Sequence, residues 1–330
     1  MQLFIPSAMG NKPVVDLCSD DSELKHSSFE FLNAIQVHEI DTCDAILYPH
    51  DINDWKREDF QRVLSFSKKK LVLYFNRSDF PISTFVPNAI SIQHSIYPSG
   101  PDRPIVVVPY RITSLEFLPL RDYKYLPTVS FVGYVPKLTV TRFMRSLKLG
   151  GKDFRLYENA SIRKVGLTNL KKDFPDTLIL ARSQYGGARS LVTPIEFQRN
   201  RNEFFESVAN SDIVFCPRGD ANSSIRFFEA ISAGRIPLIP DSNIFLPKLP
   251  ILDYSHFLIK TDLYSRNAYS NVWHFWATLD ARTYLEKQLF IRACFSKYLT
   301  YESYLKRVLM SRISELPKYT YCKSQNLTLY

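Results

Sequence analysis

The residues best equipped for chemistry are gathered in one stretch, Cys216-Pro-Arg-Gly-Asp-Ala-Asn-Ser-Ser-Ile-Arg-Phe-Phe-Glu-Ala-Ile-Ser-Ala-Gly-Arg-Ile-Pro237. Arg218 and Arg226 carry forked guanidinium donors that match phosphate oxygens. Between them, Ser223 or Ser224 can cap a helix whose first turn leaves backbone N–H groups unpaired and partly positive, a ready anion site. Glu229 follows Arg226 by one helical turn on the same face; a carboxylate there repels phosphate but accepts hydrogen bonds from sugar hydroxyls. An anion site followed by a hydroxyl acceptor suits a nucleoside diphosphate with its ribose. Plain α/β structure, a capped helix with a solvated Arg226–Glu229 pair, is the competing reading.

The elements that position these residues can be read on either side. The apolar run Ile213-Val-Phe-Cys216 stops at Pro217, which cannot donate to a sheet ladder. The helix ends near Ala233, with Gly234 as its stop, and Ile236-Pro-Leu-Ile-Pro240 opens the next strand. Upstream, Leu3–Pro6, Asp44–Tyr48, Leu71–Phe75, Ala89–Gln93 and Ile105–Val108 read as strands, with a helix over Glu58–Lys69. Ser130–Gly133 starts a second half: a helix over Leu138–Lys148, strands at Phe154–Tyr157 and Leu178–Leu180, and a helix over Arg201–Asn210. Phe257–Ile259 is the last strand, and from about Asn267 the pattern is helical, including Ala281–Tyr298 and Glu302–Ile313. Strands alternating with helices predict an α/β, doubly wound organisation.

At 330 residues, with 45% hydrophobic and 14% aromatic side chains, the chain fits two domains with sizeable cores. A net charge of +9 favours anionic partners. Cys18, Cys43, Cys216, Cys294 and Cys322 are scattered and odd in number, without C-x-x-C spacing. That pattern suits a reducing compartment and argues against a disulfide framework or a zinc site. No run approaches the ~18 apolar residues of a membrane span, and Met1–Pro6 is too brief for a signal segment.

The Cys216–Pro237 stretch resembles the signature of the exostosin family of glycosyltransferases: a C-P-R-G-D turn, then S-x-R-[FY]-x-E-A, then a small-residue, Gly, Ile-Pro ending. Cys216, Pro217, Arg218, Gly219, Asp220, Ser224, Arg226, Phe227, Glu229, Ala230, Gly234, Ile236 and Pro237 match it without a gap. Ala221, often Gly, and Ser223, often a large aromatic, depart from it. Asp44–Asp51 and Ser130–Gly133 are similar to other family segments. The resemblance implies a GT-B architecture of two Rossmann-like domains facing a cleft, with C-terminal helices crossing back to the first. On this sequence the boundaries fall at 1–125 for the acceptor side, 126–280 for the nucleotide-sugar side and 281–330 for the crossing helices. It also implies an inverting transfer of a hexose or pentose from a UDP-sugar donor to an oligosaccharide, polysaccharide or glycolipid acceptor. Without an anchor the chain looks like a bacterial or viral form, cytoplasmic or peripheral to a membrane carrying the acceptor.

Sugar transfer needs a grip on the leaving diphosphate and a base for the acceptor hydroxyl. Arg218, Gly219, Ser223, Ser224, Arg226 and Glu229 are the donor-binding candidates, with Arg142 reaching toward the diphosphate. No Asp-x-Asp pair occurs, so neither a metal nor another cofactor is expected. The base should stand at the carboxyl end of a first-domain strand. Asp51 is the first choice and His50 the second, both closely following the strand Ala45–Tyr48; Asp51 or Asp54 as a mere helix cap is the alternative. His94 is a weaker candidate. Arg182 and Tyr185-Gly-Gly187 occupy the loop where donor base and sugar often rest, whereas Arg199, Arg201, Lys171 and Lys172 are expected to cover solvent. A nucleotide-sugar epimerase or hydrolase on the same scaffold is the nearest competing activity. A nucleic-acid-binding module ranks last, since no recognition motif for nucleic acid is present.

Overall fold

A computed structural model describes residues 1–6, 36–37, 39–52, 55–76, 86–96, 104–137, 155–183, 193–219, 221–240 and 244–321. The chain separates into two compact units. The first holds Met1–Arg111, Phe245–Leu252 and Tyr298–Tyr330; the second holds Ile112–Ile244 and Asp253–Lys297.

The first unit is built on β1 (Leu3–Phe4), β2 (Gln36–Val37), β3 (Ala45–Asp51), β4 (Leu71–Asn76), β5 (Ala89–Gln93) and β6 (Ile105–Val107), with α1 (Arg57–Ser67) between β3 and β4. The sheet order is β2-β1-β3-β4-β5-β6. All these pairings are parallel, and β12 (Thr320–Tyr321) adds an antiparallel edge beside β6. Val72, Leu73, Tyr74 and Phe75 of β4 are buried in succession, as expected of a strand covered on both faces. Strand β3 runs further than its sequence suggests. Its register with β4 slips after Tyr48, so that Asp51 pairs with Phe75. Pro49 has no N–H to give the ladder, and a bulge accommodates it. His50 and Asp51 therefore lie in the strand rather than after it. Helix α1 starts with Lys56 N–H donating to Asp59 at 3.0 Å, so Asp59 serves its first turn.

The second unit repeats the plan: β7 (Val129–Tyr134), β8 (Thr177–Arg182), β9 (Ile213–Phe215), β10 (Ile236–Pro240) and β11 (Ile259–Thr261), with α2 (Arg155–Asp173), α3 (Pro194–Ala209) and α4 (Ile225–Ser232) as connections. The order β8-β7-β9-β10-β11 is parallel throughout. In both units the first strand lies between the second and the third. Connections diverge at that switch point, leaving a crevice outside the carboxyl ends of the strands, here β7 and β9.

Two expectations are corrected. The strand expected at Phe154–Tyr157 is instead helix from Arg155 onward, Phe154 lying outside the described residues, and Ala160, Leu167 and Leu170 bury one face of α2. Helix α3 starts at Pro194, well before Arg201. Thr193 and Glu196 form a reciprocal cap, Thr193 N–H to Glu196 at 3.0 Å and Glu196 N–H to Thr193 Oγ1 at 3.3 Å.

Residues 112–128 are bonded into the second unit. Arg121 N–H donates to Gln288 Oε1 and Gln288 Nε2 to the Arg121 carbonyl, each at 2.8 Å. Asp212, fully buried, accepts from Thr128 N–H at 2.8 Å, Tyr284 Oη at 2.9 Å and Arg121 Nε at 3.2 Å. Gln288 and Tyr284 stand on α6 (Ala281–Cys294), following α5 (Ser270–Ala277), whereas α7 (Tyr301–Met310) is in the first unit. Among the described residues, no helix is long and apolar enough to cross a membrane.

Candidate functional site

The Cys216–Pro237 stretch spans the switch point of the second unit. After β9 the chain turns through Pro217, Arg218 and Gly219, and Gly219 N–H donates to the Ser223 carbonyl at 3.0 Å, closing a tight loop. Ser224 is the N-cap of α4 by position. Its hydroxyl, however, points back to the Pro217 carbonyl at 3.1 Å, so no side chain caps the first turn among the described residues. Ser223 Oγ is buried and has no hydrogen-bond partner among the described residues, a costly arrangement for a hydroxyl unless a ligand completes it. The helix tip is partly exposed at Ile225 and Arg226.

Arg218 is buried, and its Nη1 donates to Asn222 Oδ1 at 2.5 Å, so this guanidinium shapes the loop from inside. Arg226 lies across β7, its Cζ 5.5 Å from the centre of the Phe131 ring and 5.3 Å from that of Phe204 on α3. Gly133 makes room for it: a β-carbon there would stand 2.4 Å from Arg226 Nη2. Glu229, one turn on, is buried. Burial pushes its carboxyl above the usual range, while Arg226 and Arg201 pull the other way.

Arg201 is not a solvent-covering residue. It reaches from α3 to Glu229 Oε1 at 3.3 Å and lies over the Phe205 ring at 4.6 Å. Its register with Phe204 and Phe205, on a helix placed to cover β7, is the signal that could have found it. Arg163, on α2, was also missed. Its Nη1 donates to the Tyr134 carbonyl at 2.6 Å and its Nη2 to the Arg218 carbonyl at 3.0 Å. No sequence signal marks that role, because both partners are backbone groups.

Arg182 is paired with Glu203 at 2.6 Å. His94, in the first unit, stacks on Tyr110 with 4.4 Å between ring centres, and burial lowers its pKa to about 4. Cys216 is buried, and that burial holds its thiol protonated. Arg142, Asp220, Asp54 and Tyr185–Gly187 lie outside the described residues.

Residues 156–245 match the family model of the RXYLT1 C-terminal domain. The match takes in Arg163, Arg201 and the Cys216–Pro237 stretch and leaves Phe131, Gly133 and Tyr134 outside it, and over those residues the chain is similar to that domain. No curated protein matches the sequence. Among solved structures, a glycosyltransferase from Rickettsia africae ESF-5 overlaps 80% of this chain and 88% of its own at 10% identity, with a TM-score of 0.38. The GtfA/B complex overlaps 81% of this chain and 56% of its own at 10% identity and 0.36, and TarM 80% and 54% at 9% and 0.33. At such scores the fold is read from the two sheets themselves.

Proposed function

We propose that this protein is an inverting, metal-independent glycosyltransferase that moves a hexose or pentose from a UDP-sugar to a hydroxyl of a glycan acceptor, an oligosaccharide, polysaccharide or glycolipid. The observation that carries the reading is the uncapped tip of α4 beside the unpartnered Ser223 hydroxyl, at the switch point between β7 and β9. Backbone N–H groups of that tip, the Ser223 hydroxyl and the Arg226 cation would take the diphosphate, with the buried Arg218 cation adding its charge from inside the loop. As the anomeric C–O bond breaks, negative charge grows on the leaving UDP, and donors already aimed at it stabilise that charge without reorganising. Glu229 would accept from ribose hydroxyls, and Arg142 would approach the diphosphate.

The base is proposed to be Asp51, with His50 the alternative. Asp51 takes the acceptor hydroxyl proton while that oxygen attacks the anomeric carbon opposite the leaving diphosphate, which inverts the centre. Metal independence follows from the cationic grip and from the missing Asp-x-Asp pair. The proposed setting is the cytoplasm, peripheral to a membrane where the acceptor is a glycolipid.

Calorimetry with UDP on Arg226→Ala and Arg218→Ala tests the site. Loss of one charge-assisted contact, ~1.5–3 kcal/mol, corresponds to roughly ten- to a hundredfold weaker binding in each. Wild-type UDP affinity in both variants overturns the placement. Thermal stabilisation by UDP-glucuronic acid, UDP-xylose, UDP-galactose and UDP-N-acetylglucosamine then identifies the donor. Turnover of that donor without acceptor would mark an epimerase or hydrolase instead.

A further inference from the structure

The geometry points to Arg163 as the residue that positions the anion-binding loop, a role that rests on the donor site proposed above. Its two terminal nitrogens hold two backbone carbonyls on opposite sides of the switch point. Tyr134, at 2.6 Å, is the last residue of β7; Arg218, at 3.0 Å, stands in the loop that follows β9. The fork therefore ties the loop to the neighbouring strand at the place where the sheet connections diverge.

Three further bonds run within the loop. Gly219 bonds to Ser223, Ser224 to Pro217, and Arg218 to Asn222. These bonds set the loop's own shape, and the Arg163 fork ties that shape to β7, where Gly133 and Phe131 support Arg226. A planar guanidinium suits the task because it presents two donors in fixed geometry, whereas a lysine ammonium is a single rotating point. Arg163 touches no ligand atom in this reading; it acts through the Arg218 carbonyl, so the donors of the loop meet the diphosphate without a reorganisation cost.

Arg163→Met keeps length and bulk while removing both donors; Arg163→Lys keeps one charged donor. Each is measured in the full chain by UDP calorimetry, by hydrogen exchange of peptides covering residues 216–224, and by thermal unfolding. Arg163→Met should weaken UDP binding about tenfold, the scale of one lost positioning contact, and speed exchange in the loop, with Arg163→Lys between it and wild type. A lower melting temperature with UDP affinity and loop exchange unchanged means a purely structural arginine and overturns the inference. Weaker binding with unchanged exchange overturns it too, since the guanidinium would then meet the ligand directly. If Arg163→Met does not fold, Arg163→Lys carries the same test. Should wild type bind no UDP, the donor-site reading fails, and loop exchange alone decides whether Arg163 holds the loop.

Discussion

Gly133 and Arg226 occupy the same space. A β-carbon on Gly133 would lie 2.4 Å from Nη2 of Arg226, 3.1 Å from its Cζ and 3.3 Å from its Nε. The guanidinium thus reaches against the backbone near the end of β7, with Phe131 and Phe204 around it. This is close backbone approach that only glycine allows.

Gly133→Ala should displace the guanidinium while leaving the fold in place, because the atom it meets is the far end of a flexible side chain. UDP affinity is expected to fall about tenfold and the melting temperature by no more than a few degrees, the cost of mild overpacking. Calorimetry and thermal unfolding on the same preparation separate the two effects. Unchanged UDP affinity would remove Arg226 from the donor site.

Asp51→Asn should abolish transfer and leave UDP affinity as in wild type, since the proposed base acts on the acceptor. Loss of a general base costs ~10²–10⁴ in rate. His50→Ala should slow transfer less. Transfer at wild-type rate in Asp51→Asn moves the base elsewhere, and His50 becomes the residue to test.

The signature helix was legible residue by residue because each turn depends on local chemistry. Pro217 stops β9, Ser224 occupies the N-cap, and Gly234 takes the left-handed conformation with φ of 72°. What was not legible depends on contacts distant in sequence. Four apolar and basic residues at Phe154–Tyr157 fit a strand or a helix equally well, and the helical period shows only further on, at Ala160, Leu167 and Leu170. The extension of β3 to Asp51 needs a bulge that β4 supports across the ladder. Arg201 was read as a surface cation because its partner Glu229 is on another helix. Arg163 bonds to carbonyls, which every residue carries, so its role leaves no trace in residue types.

Gly234→Ala meets a harder obstacle than Gly133→Ala. Its β-carbon would stand 2.9 Å from the Gln288 backbone carbonyl oxygen, and the residue sits at φ of 72°. Backbone cannot swing aside as a side chain can, and non-glycine residues are strained at that angle. A loss of ~1–3 kcal/mol or more is expected, read as a lower urea midpoint. UDP affinity of the folded fraction should hold, because the tip of α4 is at the helix's other end. An unchanged midpoint would mean that Gly234 is neither strained nor crowded.

His94 gives a pH signature that separates a structural imidazole from a base. Its ring packs on Tyr110, its Nδ1 lies 3.3 Å from the Val108 carbonyl, and burial lowers its pKa from 6.5 to about 4. The unfolded chain therefore binds a proton on this side chain at a higher pH than the folded one. Its contribution to stability is fully present above pH 6.5 and is lost as pH falls from there toward 4. His94→Phe keeps a flat ring against Tyr110 and cannot titrate. Urea unfolding of both proteins at pH 7.5 and pH 5 isolates the effect: wild type should lose more stability on acidification than the variant, beyond any constant offset. Equal losses would show that the imidazole titrates normally in the fold. A transfer rate that depends on His94 near neutral pH would in turn make it a rival to Asp51, for only an imidazole with a pKa near the working pH can exchange protons there efficiently.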